Sequence, residues 1–140
     1  MADGDNRAAL DRHWTASEAG DYEAEHDLYQ EDAVLEYPQS GERILGRRNI
    51  QAARAGHPAK RHFKIERILG TGDLWVTEYV ITYDGEPMYT ASIMEFRDGK
   101  VQRETQYFGE PFDPPAWRAS LAERTRERTG ETDAPAAVLT

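Results

Sequence analysis

The strongest constraint on this chain lies between residues 62 and 108. Four runs of alternating polarity, HFKIERIL, LWVTEYVITY, EPMYTASIMEF and KVQRETQYF, follow one another there. Gly70-Thr71-Gly72-Asp73 separates the first pair, and Asp84-Gly85 and Asp98-Gly99 separate the others. A type I′ turn needs φ > 0 at both central positions, and Asp-Gly meets that need at low cost. The spacing predicts a four-strand antiparallel meander. Strands this long twist and curl, so the sheet is expected to bend strongly.

The segment ahead of the meander reads as helix. Asp5 or Asn6 can cap a stretch in which Leu10, Trp14 and Ser17 share one face, with Gly20 closing it. Asp21 can cap a second, shorter helix through Tyr22, Glu25 and Tyr29. AVLEYP (33–38) reads as a strand stopped by Pro38, QSGERILG as a loop, and RRNIQAARAG as a helix ended by Gly56. Pro114-Pro115 can start a last helix through Trp117 and Leu121. The expected fold is α+β: a strongly curved antiparallel sheet wrapped around N-terminal helices, cone-shaped with an internal pocket. Residues 1–125 are expected to form one domain and 126–140 a mobile tail.

Composition excludes several function classes. The chain carries a net charge of −9, which disfavours a phosphate backbone as partner. Its basic clusters, Arg47-Arg48 and Lys60-Arg61-His62, are short and read as solvated surface. No apolar run is long enough to span a membrane, and the acidic start MADGDNRAALDR lacks the apolar core of a signal peptide. With no cysteine there is neither disulfide nor thiolate chemistry, which fits a cytoplasmic protein. Few lysines beside many arginines hint at a GC-rich bacterial genome.

Chemistry-bearing motifs are sparse. There is no phosphate loop and no G-x-S-x-G. His57 and His62 have no carboxylate near them in sequence, so no metal site is expected. Glu23, Glu25 and Asp27 read as a solvated helix face. The strands are rich in tyrosine at positions 37, 79, 83, 89 and 107. With Trp14, Glu36, Glu104 and Gln106, these tyrosines could line a mostly apolar pocket holding a few fixed polar groups. The last strand is the puzzle. Val101, Arg103, Thr105 and Tyr107 share one face and Gln102, Glu104, Gln106 and Phe108 the other, so neither is cleanly apolar. Apolar content alone turns Val101 and Tyr107 inward, unless a bulge switches parity midway.

EAGDYEAEHDLYQEDAVLEYP, the helix start Gly46-Arg47…Ile50, GDLWVTEYVITYDG and SIMEFRDGKVQRETQYF together resemble the nuclear transport factor 2-like superfamily. The SnoaL-like, polyketide-cyclase-type branch is the nearest, over about residues 5–122. The resemblance implies a cone with a deep pocket, commonly paired as a homodimer through the outer sheet face. It also implies that the last strand sends Glu104 and Gln106 into the pocket. The superfamily hosts isomerases, cyclases, dehydratases, epoxide hydrolases and non-catalytic binders.

This chain departs from its catalytic relatives at the decisive positions. Ketosteroid isomerases carry an Asp where Tyr37 stands, and cyclases and epoxide hydrolases carry one where Gln106 stands. Epoxide hydrolases also need an Arg and an Asp on the strand matching Tyr79 and Ile81. The resemblance implies a cofactor-independent acid/base enzyme of cyclase, isomerase or dehydratase type, acting on a small apolar carbonyl compound such as a polyketide-like intermediate. Its catalytic groups would be Glu104, with a pKa raised by burial, Tyr37 and His13. Trp14, Tyr79, Tyr83, Gln106 and Phe108 would bind the substrate. The alternative is a non-catalytic small-molecule-binding or protein-interaction dimer module of the same fold.

Overall fold

The computed structural model describes residues 3–125. The chain divides after Gly109 into two compact units. The first begins with helices α1 (Asp3–Ala19) and α2 (Tyr22–His26), then strands β1 (Tyr29–Tyr37) and β2 (Glu42–Leu45) and helix α3 (Arg47–Ala55). Strands β3 (Arg61–Thr71), β4 (Leu74–Tyr83), β5 (Glu86–Arg97) and β6 (Lys100–Gly109) complete it. In the second unit Ala116–Leu121 form a short 3₁₀ helix on which Trp117 is 76% exposed. The expected tail, 126–140, lies outside the described residues.

The meander forms as its turns dictate. Asp84 and Gly85 have φ of 50° and 87°, and Asp98 and Gly99 have φ of 52° and 80°. Both central positions of each turn are therefore left-handed, as a type I′ hairpin requires. The six strands make one sheet in the order β2-β1-β6-β5-β4-β3, not closed on itself. It is a mixed sheet, because β1 runs parallel to β6. The meander strands β3 to β6 pair antiparallel as expected, and the β1–β6 pairing is an addition to that expectation, since nothing local in sequence announces a contact between residues about 70 apart. Strand β2, expected as loop, pairs with β1 through Val34↔Leu45 to Tyr37↔Glu42. The second helix stops at His26 rather than Tyr29, because Tyr29 already belongs to β1.

Bulges set which residues face inward. Along β6, Val101 pairs with Phe96 and Arg103 with Glu95, leaving Gln102 as an extra residue. One added residue reverses the parity of everything after it. Val101 is therefore buried, and so are Glu104 and Gln106, while Tyr107 is exposed. A second bulge, at Glu66, gives β3 the same switch: Ile65 pairs with Tyr79 but Arg67 with Glu78.

The core lies between the sheet's inner face and the helices. It gathers Leu10 and Trp14 of α1, Ile50 of α3, and Tyr29, Leu35, Trp75, Tyr79, Ile81, Met94, Phe96 and Val101 of the strands. Helix α1 is anchored through polar side chains. Asn6 is no cap but a buried member of the helix, donating to the Gly72 carbonyl oxygen at 2.8 Å. Trp14 Nε1 donates to Thr77 Oγ1 at 3.2 Å, and Glu18 accepts the Phe63 N–H at 2.7 Å.

Candidate functional site

A cavity of about 60 Å³ opens between α1, α3 and the inner sheet face. Its apolar wall is Trp14, Phe63, Ile81 and Phe108, with the rings of Tyr37, Tyr79 and Tyr83. Its polar wall is His13, Glu25, Arg54, His57, Arg61 and Gln106. The aromatic side brace one another: Trp14 and Tyr79 centroids lie 4.6 Å apart, and Tyr37 and Phe108 lie 5.8 Å apart. His57 stacks on Tyr83 at 4.4 Å.

Of the eight residues expected at a site, His13, Trp14, Tyr37, Tyr79, Tyr83, Gln106 and Phe108 line this cavity together. Glu104 does not. It lies behind the wall with no solvent exposure, bonded by Arg54 Nη2 at 3.0 Å and by the Tyr29 hydroxyl. Burial alone would push its carboxyl pKa up. The Arg54 charge and the Tyr29 hydrogen bond outweigh that and hold the pKa below the ordinary glutamate value. The expectation of a raised pKa failed because it counted desolvation without the cation, and Arg54 was never in view.

Arg54 organises the polar side. Helix α3 places it one turn beyond buried Ile50, so both point at the core. Nη1 donates to the Tyr29 hydroxyl at 2.8 Å and to His26 Nε2 at 3.4 Å. Nη2 donates to Glu104 and, at 3.3 Å, to Gln106 Oε1. A guanidinium only donates, which fixes the Gln106 amide with its oxygen toward Arg54. Gln106 Nε2 then donates to the Tyr79 hydroxyl at 2.5 Å, and that hydroxyl lies 2.9 Å from Ser92 Oγ. Gln106 is thus held from both ends and is 6% exposed.

Two histidines are kept neutral. His13 Nδ1 lies 2.6 Å from the Glu25 carbonyl oxygen, which can only accept, so Nδ1 carries the proton and Nε2 is a bare acceptor. Nε2 receives no hydrogen bond from the described residues. Burial lowers the His13 pKa to about 4. His26 is lowered to about 4 as well, by burial and then by the Arg54 charge. Burial raises the pKa of Tyr37, Tyr79 and Tyr83, which keeps their hydroxyls protonated donors.

A second buried pair faces the cavity. Glu25, 2% exposed, accepts from Ser17 Oγ at 2.9 Å and from Arg61 Nη2 at 3.4 Å. The sequence places Glu25 and Arg61 on solvated faces, but Glu25 is buried and the Arg61 side chain is only 8% exposed. Asp21 caps α2 by accepting the Ala24 N–H at 3.1 Å, and that short helix turns Glu25 inward. For Arg61, the period-two count from Phe63 and Ile65 was a usable signal: positions 61, 63 and 65 share a face. Arg54 could have been found from its i, i+4 relation to Ile50. Tyr29 gave no such signal, because its role depends on the parallel pairing with β6. Among the described residues no cluster of His, Asp or Glu is arranged to hold a metal ion.

Among solved structures, the chain is similar to a nuclear transport factor 2-like protein of unknown function from Burkholderia xenovorans, at 56% identity. That match covers 90% of this chain and 99% of the other, with a TM-score of 0.82. It is also similar to a protein assigned as a ketosteroid isomerase, from Kribbella flavida, at 27% identity and TM-score 0.82, covering 91% and 96%. An epoxide hydrolase-like protein of Mycobacterium tuberculosis shares the fold, at 21% identity and TM-score 0.63, covering 75% and 83%. No curated protein matches the chain. The model of the SnoaL-like domain matches residues 10–104, a span that holds the second half of α1, the arginine-bearing helix α3, strands β1 to β5 and β6 as far as Glu104. The chain belongs to the SnoaL-like domain family, within the nuclear transport factor 2-like superfamily.

Proposed function

We propose that this chain is a cofactor-independent proton-transfer enzyme of isomerase, cyclase or dehydratase type, acting on a compact carbonyl compound. One observation carries the reading: His13 is locked as the Nδ1–H tautomer by the Glu25 carbonyl, which leaves an unprotonated Nε2 on a side chain of the cavity wall. Its pKa of about 4 makes it a base comparable in strength to an ordinary aspartate, at about 3.9. That strength suits removal of a proton next to a carbonyl when the developing oxyanion is also stabilised.

The step balances within the site. Nε2 takes the proton, the C–H pair becomes the new C=C bond, and the carbonyl π pair moves to oxygen. Tyr37 donates its O–H to that oxygen. The imidazolium, partnered by the nearby carboxylates Glu25 and Glu104, returns the proton elsewhere on the conjugated system. Trp14, Tyr79, Tyr83 and Phe108 hold the apolar part, and Gln106 orients an oxygen. Glu104 serves as counter-charge to Arg54. A polyketide-sized intermediate needs a cavity of roughly 300 Å³ or more, so the reading favours smaller compounds.

The size of the cavity, about 60 Å³, also favours a second reading, a binding module without turnover. Exchange of the hydrogens next to the carbonyl of small ketones in D₂O separates the two. The enzyme reading expects wild-type protein to accelerate exchange and His13→Gln to lose most of that acceleration while staying folded. Exchange at the buffer rate in wild type supports the binder. We also propose a homodimer through the outer sheet face, where Val76, Val80, Ala91, Ile93 and Thr105 form a half-exposed band. The cytoplasm is its proposed compartment.

A further inference from the structure

The second arginine of the cavity has no place in this proton transfer, and its bonding is incomplete. Arg61 carries five N–H donors and uses one within the described residues, the 3.4 Å contact to Glu25. Its side chain is only 8% exposed, and its guanidinium lies against the rings of Tyr22 at 5.0 Å and Phe63 at 5.1 Å. None of its nitrogens is among the buried atoms without a partner, so the unused donors reach open space. Arg61 lines the cavity, where the oxygens of a ligand can bond them.

The geometry points to a carboxylate, and we infer that the cavity takes a short-chain carboxylic acid with its carboxylate on Arg61. This rests on the reading of the cavity as a small-molecule site and adds the substrate's class. Three features select an anion over a neutral carbonyl. The planar fork of Arg61 matches two carboxylate oxygens at once, which a single carbonyl oxygen cannot use. Arg54 and Arg61 together outnumber Glu25 among charged cavity-lining groups, with Glu104 set behind the wall. Glu25 holds Arg61 through one oxygen only, at a long 3.4 Å, its other oxygen being taken by Ser17 at 2.9 Å. Size sets the upper limit. On the measure by which about 15 Å³ holds one water, about 60 Å³ holds roughly four, which suits acids of two to three carbons.

Acetate, propionate and the neutral isostere acetone, titrated separately into ¹⁵N-labelled protein, test the inference. The Trp14 indole N–H, which donates to Thr77 and lines the cavity, is the reporter. Acetate and propionate are expected to shift it at lower concentration than acetone. In Arg61→Lys, which keeps the charge but loses the fork, the acetate-to-acetone affinity ratio is expected to fall roughly tenfold. Should the variant fail to fold, the wild-type comparison alone decides. Acetone binding as well as the acids overturns the carboxylate assignment and leaves the proposed function standing. Shifts from none of the three overturn both. Acid binding with a ratio unmoved in Arg61→Lys overturns the role of Arg61.

Discussion

Glu104 behaves otherwise than its sequence context suggests. It reads as a base from its strand position, yet Arg54 at 3.0 Å favours its ionised form and holds its pKa below the ordinary glutamate value. Removing its charge leaves the arginine buried without its partner, which costs about 3–5 kcal/mol in comparable pairs. Glu104→Gln is therefore expected to lower unfolding stability by that order in urea titrations and, by removing a negative charge near His13, to move the acidic limb of the rate profile to lower pH. That limb belongs to His13, which must be unprotonated to act. The rate is expected to hold level down to about pH 5 and to fall as pH approaches the His13 pKa of about 4. A limb near pH 6.5, where an ordinary histidine titrates, would mean that His13 is not the base. At this scale the sequence was a partial guide. Tyr37 and Tyr79 were legible as strand tyrosines that could line a pocket, whereas the inward direction of Gln106 and the candidacy of His13 came only from the family resemblance. Arg54 and Arg61 were missed despite their spacing from Ile50 and Phe63, because a charged residue on a short helix or at a strand start looks solvated until its partner is placed.

At the scale of elements, the meander was legible because Asp-Gly turns are local signals, and both hairpins take the left-handed geometry those residues permit. The parallel pairing of β1 with β6 was not legible, since it joins Leu35 to Glu104 across more than half of the described chain. The single extra residue at Gln102 decides the site's polarity. It lets one strand bury Val101 for the core and Glu104 and Gln106 for the polar network, which alternation alone forbids. Two variants separate the residue from the bulge. Gln102→Ala retains the bulge and is expected to change stability by less than about 1 kcal/mol, since its side chain makes one 3.4 Å bond. Deleting Gln102 turns Glu104 and Gln106 outward and strands Arg54, so no cooperative unfolding transition is expected. A deletion variant that melts like wild type would refute the bulge's role.

Over the whole molecule, the buried neutral histidines govern behaviour in acid. His13 and His26 have pKa values lowered from 6.5 to about 4, so the unfolded chain binds more protons between those limits. Stability is full above pH 6.5 and falls as pH drops toward 4, by about 3 kcal/mol per histidine. Glu104, whose pKa is lowered, adds a further loss only below the ordinary glutamate range. Urea midpoints at pH 7, 5.5 and 4.5 check this, and a midpoint unchanged from 7 to 4.5 would contradict it. The proposed dimer has its own test: Ile93→Glu, placed in the middle of the outer band, is expected to convert a dimer to a monomer by light scattering.

The account turns on one side chain being a neutral, correctly oriented base, and ¹⁵N NMR of the His13 ring reads that state directly. The expected spectrum shows a protonated Nδ1 and a bare Nε2 from pH 8 down to about 5, with protonation approaching pH 4. A ring protonated at Nε2, or an imidazolium already present at neutral pH, would contradict the assignment of His13 and leave the cavity without its base.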